Sequence, residues 1–188
     1  MSASKEFPNS LRNHFLVASP YLQDPRFHGA VIYICEHSDG GALGLMVNQP
    51  LDIQLGEILE QLDMEGGQLD VPVFSGGPVQ QERGFVLHTP DRSWQNTAEV
   101  TDTIWLTTSR DVLSDIGYGI GPEQYLVCLG YAGWGEGQLE EELASNAWLN
   151  CPASSGILFN TPATGRYHAV LKVIGIDINQ LSESIGHA

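Results

Sequence analysis

Apolar and polar positions along the chain fall into segments with two different periods. The first 14 residues are mostly polar and predict a flexible N-terminal arm. Phe15–Ala18 predicts a short strand, stopped by Ser19-Pro20. Val31-Ile32-Tyr33-Ile34-Cys35 is a continuous run of β-branched and aromatic residues. A run without alternation suits a strand covered on both faces. Asp39-Gly40-Gly41 signals a turn, and Leu43–Val47 predicts the returning strand, ended by Asn48-Gln49-Pro50. Leu55, Ile58, Leu59 and Leu62 recur at helical spacing and predict an amphipathic helix over residues 53–63. Asp52 is its expected N-cap, and Gly66-Gly67 lies beyond its end.

Further along, strands are expected at Val71–Phe74, Gly84–His88 and Thr103–Thr108, with a polar, turn-rich stretch from Thr89 to Asp102. Ser109 is placed as N-cap of a short helix carrying Val112, Leu113 and Ile116 inward. Tyr125–Leu129 is a second fully apolar strand, followed by the glycine-rich stretch Gly130–Gly137, read as a loop. Gln138 to Ala147 predicts a helix, and Gly156–Phe159 a late strand. Tyr167, Val170, Leu171 and Ile174 predict a last helix over residues 166–174, with Gly175 at its C-terminal cap. Strands and helices interleave without a composition break. The fold class is therefore α/β: a single domain, residues 15–188, with a mixed β-sheet flanked by helices, preceded by the arm of residues 1–14. Short turns between strands mean that the sheet is not purely parallel.

Charge narrows the function. The 188 residues hold 8 Lys and Arg against 23 Asp and Glu, a formal net charge of −15. Such a surface repels phosphate and speaks against a basic nucleic-acid face or a polybasic membrane anchor. Cys35, Cys128 and Cys151 are odd in number and far apart, which suits a reducing cytosol better than a disulfide scaffold. No apolar stretch behind the N-terminal residues resembles a signal peptide, so the expected location is cytoplasmic.

Four stretches carry candidate chemistry. Cys35 and His37 sit two apart on one predicted strand, so they would share a face roughly 6.6 Å apart. A thiol and an imidazole so placed could act as nucleophile and base, as a redox-sensitive thiol, or as half a metal site. Against this, Cys35 ends an apolar run, where a free cysteine behaves as a small buried hydrophobe. Gly130–Gly137 stands between a strand and a helix but matches no phosphate-loop pattern, and Glu136, Glu140, Glu141 and Glu142 would repel an anion there. Ser75-Gly76-Gly77-Pro78 could form an anion-cradling nest or simply a tight turn. His88, Ser109, Arg110 and Asp111 are triad-type residues whose meeting the sequence does not establish. A small-substrate pocket, if one exists, is expected to combine Asn48, Ser75, Gly76, Gly77 and Trp134. No metal or cofactor is called for.

Several of these stretches together resemble the bacterial AlgH/YqgE family. They are Asn13–Pro20, Val31–His37, Gly41–Pro50, Phe74–Val79, Arg83–His88, Thr107–Leu113, Leu129–Trp134 with Gly137–Glu140, Asn146–Leu149, Gly175-Ile176-Asp177 and the closing Gly186-His187-Ala188. The resemblance implies a cytoplasmic, single-domain α/β protein. Family members are described as transcriptional regulators, and the family pattern marks no catalytic or metal residue. Phe159-Asn160-Thr161-Pro162 departs from an expected Asp-x-Pro, and Arg166-Tyr167-His168 from an expected Arg/Lys-Trp. Taken with the charge, the resemblance implies a non-enzymatic regulatory protein that acts through a protein or small-molecule partner, without direct nucleic-acid or membrane contact. The alternatives are a thiol-based redox sensor at Cys35 and a small-substrate enzyme.

Overall fold

The structure, a computed structural model, describes residues 9–177. Residues 1–8 of the expected arm and the closing Gly186-His187-Ala188 lie outside the described residues. The strands are β1 (His14–Ala18), β2 (Ile32–Ser38), β3 (Gly41–Met46), β4 (Pro50–Gln54), β5 (Pro72–Ser75), β6 (Val79–His88), β7 (Thr97–Glu99), β8 (Trp105–Thr107), β9 (Tyr125–Trp134) and β10 (Trp148–Pro152). The helices are α1 (Leu55–Gln61), α2 (Asp111–Gly117), α3 (Gln138–Ala144), α4 (Ser155–Phe159) and α5 (Ala163–Ile174).

All ten strands join one sheet, whose main path runs β10-β1-β2-β3-β9-β6-β8-β7. Neighbours pair antiparallel, except β5, which lies parallel to β9 over Val127–Leu129. The sheet is mixed and flanked by helices, as the interleaved pattern predicts. β9 is its hub. One edge pairs with β6, while the other pairs first with β5 and then, from Ala132 to Trp134, with β3. The change of partner falls at Gly130, whose φ of +80° bends the strand.

The sheet curls around the largest apolar cluster, which joins Phe15, Tyr33, Cys35, Phe74, Phe85, Leu106 and Cys128 to Leu158, Val170 and Leu171 of α4 and α5. A second cluster on the other side of β2 holds Ile32, Ile34, Trp134, Leu139 and Trp148. β2 is thus covered on both faces. A third cluster packs α1 and α2 through Leu55, Leu59, Val112 and Ile116 onto Val86 and Val127.

Several local expectations are corrected. Residues 53 and 54 belong to β4, so α1 begins at Leu55. Its N-cap is Gln54, not Asp52, and the Glu57 carboxylate accepts from the Gln54 N–H at 3.0 Å. Arg110, not Ser109, takes the N-cap position of α2 without a side-chain cap bond, while the Ser109 hydroxyl donates to Asp111 and accepts from the Asn96 amide. Gly130–Trp134 is the second half of β9 and not a loop. Gly156–Phe159 lies in α4, whose Ser154 cap accepts from the Ile157 N–H at 3.2 Å. Leu11 to Asn13, assigned to the loose arm, are tied into the fold. The Asn13 amide donates to Ile34 O at 2.8 Å, and the Tyr33 hydroxyl donates to Asn13 Oδ1 at 2.9 Å.

Candidate functional site

A bulge decides the fate of the Cys35–His37 pair. β2 and β3 pair Ile34 with Gly44 and Glu36 with Leu43, so β2 carries one extra residue between them. The extra residue reverses the in-out alternation beyond it. Cys35 faces the inner cluster with Tyr33. His37 pairs with Ala42, a member of the opposite cluster, and reaches Leu11 and α3. The bulge breaks the regular spacing on which the expected pair relied: the Cys35 thiol is packed into the inner cluster and the His37 ring turns to Leu11 and Glu140, although both residues border the groove that lies beneath Arg12. Cys35 is 1% exposed, and burial pushes its thiol well above the ordinary range. A sensor thiol needs the reverse, exposure and a lowered pKa. Cys128 is likewise pushed up to about 12 by burial, and Cys151 is raised for the same reason.

His37 is built into a contact of another kind. Its side chain is buried, its Nδ1 accepts from the Leu11 N–H at 2.8 Å, and its Nε2 meets Glu140 Oε1. The bond to His37 holds the Glu140 carboxyl below its usual range. Arg12, the next residue along, stretches the other way. Its guanidinium donates to Val100 O at 3.1 Å and to Glu99 O, on the β7–β8 hairpin.

Beneath Arg12 opens a groove of about 890 Å³ between the β2–β3 hairpin and β7. Apolar walls come from Leu43, Ala98, Val100, Leu106 and Tyr131, with Arg12, Glu36 and His37 among the polar lining. Ala98 pairs with Leu106, a member of the inner cluster, so both side chains lie on the groove face of their hairpin. An apolar cleft with a few placed polar groups is the usual form of a ligand site.

Of the expected pocket, Trp134 alone lines this groove. Asn48, Ser75, Gly76 and Gly77 do not. Asn48 is a structural clamp: its Oδ1 accepts from the Val31 N–H, and its Nδ2 donates to Gly29 O, both at 2.8 Å. Ser75–Gly77 fills the fork where β3 and β5 part along β9. Gly76 donates to Leu129 O at 2.7 Å and accepts from the Met46 N–H at 2.8 Å. A Cβ at Gly76 would stand 2.2 Å from Gly130 O, and one at Gly77 would stand 2.1 Å from Tyr131 C. Close backbone approach explains the paired glycines without a ligand.

The triad-type residues do not converge either. His88 donates from Nδ1 to Thr89 O and accepts at Nε2 from the Thr107 hydroxyl, both at 2.7 Å, while Ser109 pairs with Asp111. Burial lowers the His88 pKa and keeps the ring neutral. Among the described residues no three His, Cys, Asp or Glu side chains come together as a metal site, and no helix is long and apolar enough to cross a membrane. Sequence reasoning passed over Arg12 and its pairing across the groove, because nothing local in the chain announces a contact with residues near 100.

A family model described as AlgH-like matches residues 15–179. The chain belongs to the AlgH-like family. Among family relatives, a UPF0301 protein of Hahella chejuensis is 51% identical over 96% of this chain and 97% of its own length. A UPF0301 protein of Nitrosococcus oceani is 50% identical over 94% of this chain and 96% of its own. The AlgH protein of Pseudomonas aeruginosa, solved in solution, superposes with a TM-score of 0.81 at 43% identity, covering 96% of this chain and 97% of that one. A Corynebacterium diphtheriae protein at 20% identity and a TM-score of 0.65, covering 89% of this chain and 91% of that one, shares the fold. The bulge, the groove and the Arg12 bridge are thus features of an AlgH-like chain.

Proposed function

We propose that this AlgH-like protein is a regulatory binding protein, working through a protein or small-molecule ligand held in the groove and not through direct DNA contact. The observation that carries the reading is the groove itself, amphipathic and open between two hairpins that Arg12 joins. The net charge of −15 supports the exclusion of DNA, since phosphate contacts need a cationic face. Three free, buried cysteines support a reducing, cytoplasmic setting.

Two measurements test this. In a pull-down, a partner retained by the wild type is expected to be lost by Ala98→Trp, which fills the groove from an exposed edge position. Equal capture by both refutes the groove as the binding site. Anisotropy of labelled duplex DNA, read at stepped salt, is expected to show no sequence-specific binding. A specific, salt-dependent complex would overturn the indirect reading.

A further inference from the structure

The segment Ser10–Asn13 forms a strap. At one end Leu11 hangs on the His37 ring, in the middle Arg12 crosses to β7–β8, and at the other end Asn13 is bonded to β2. The contact at Leu11 settles where the ring proton sits. A main-chain amide can only donate, so His37 Nδ1 presents its lone pair and the proton is on Nε2, facing Glu140. A second proton has one place to go, namely Nδ1, the atom that Leu11 occupies. The imidazolium would then set an N–H against an N–H, with the ring buried away from water.

We infer that His37 is a proton-operated latch: protonation at Nδ1 expels the Leu11 amide, lifts the strap with Arg12, and opens the groove on its β7–β8 side. As regulation of the groove, this rests on the groove's being the binding site; the motion of the strap does not. Among the described residues, the charged or titratable groups on the elements around the ring and the strap are Glu140 and Glu141 of α3, Glu136 just before it, Arg12 of the strap, His14 of β1, whose Nδ1 meets Arg12 O at 3.1 Å, and Glu36 and Asp39 of its own hairpin. Ala42, opposite His37 on β3, brings none. Glu140 remains a partner for the ring in both states, so the ring itself stays in place while its Nδ1 changes from acceptor to donor. The two anchors of Asn13, to Ile34 O and the Tyr33 hydroxyl, involve no titrating contact in this range and mark the hinge.

The test uses the full chain, isotopically labelled and without ligand, followed by NMR across the imidazole range of about pH 8 to 5. Long-range correlations of the His37 ring are expected to show the Nε2–H tautomer at the upper end. As the ring titrates, the Leu11 amide is expected to lose about tenfold or more of its exchange protection, the scale of one lost hydrogen bond, relative to a core amide such as Leu87. In His37→Asn, whose Oδ1 offers an acceptor that does not titrate, Leu11 is expected to stay protected throughout. An Nδ1–H tautomer, or Leu11 protection unchanged through the titration, overturns the latch, as does a strap still released by acid in His37→Asn. The two wild-type observations decide the matter if that variant does not fold. Because no ligand is present, failure here leaves groove binding standing, and loss of groove binding leaves the latch standing.

Discussion

Replacing Gly76 by alanine tests whether the glycine pair after β5 serves packing. The added Cβ would lie 2.2 Å from Gly130 O, 3.2 Å from Gly130 C and 3.1 Å from the Cys128 Cβ. Reaching even the 3.0 Å below which real Cβ contacts essentially never fall requires a movement of about 0.8 Å against Gly130 O. That oxygen is main chain, at the bend of the sheet's central strand, so it cannot swing aside as a flexible side chain would. Gly76 is itself held from both sides by Leu129 and Met46. Forcing an extra carbon into a closed site costs about 1–3 kcal/mol. With two main-chain neighbours the cost belongs at the top of that range, which in a chain of this size lowers Tm by roughly 5–10 °C. Gly84→Ala is the control, since its Cβ would meet nothing within 4 Å. It is expected to stay within about 0.5 kcal/mol of the wild type. Circular dichroism during thermal and urea unfolding reads both. If Gly76→Ala unfolds together with Gly84→Ala, the packing account is wrong and the glycines need a functional explanation.

Two further outcomes follow from burial. In the folded protein a thiol reagent is expected to find none of the three cysteines up to about pH 9 and all three after unfolding; rapid modification of Cys35 in the native state would revive the sensor. His88 is neutral in the fold, with its pKa depressed, so the unfolded chain takes up that proton first, near about pH 6.5. Stability should therefore fall as pH drops below that point, and urea midpoints of His88→Gln at stepped pH should decline less steeply than the wild type; parallel slopes refute the assignment.

The sequence made legible what depends on neighbours along the chain. The run Val31–Cys35 is buried on both faces, as its lack of alternation implies, and Gly175 closes α5 in the left-handed conformation, with φ of +92°. What it concealed was set by distant partners. Gly130–Trp134 reads as a loop, yet it continues β9 because β6 pairs with Tyr131 and β3 with Ala132–Trp134, partners that override the weak strand preference of its glycines. Ile157-Leu158-Phe159 reads as a strand by composition, and the Ser154 cap decides for a helix. The bulge at Cys35 has no residue signature at all, and with it the face of His37, the reach of the strap and the groove were out of sight.

The place of β9 in the sheet also governs how the protein can be made. β3, β5 and β6 all depend on one strand that begins at Tyr125, and β1 waits on its outer side for β10, which begins at Trp148. A ribosome therefore delivers three ready edges well before the strand that unites them. Pairings this distant in the chain are slow to close, and unpaired edges invite aggregation in the meantime. The nascent chain must hold its first two-thirds in check until β9 emerges, and a stalled product ending before Tyr125 would lack the strand on which the rest assembles.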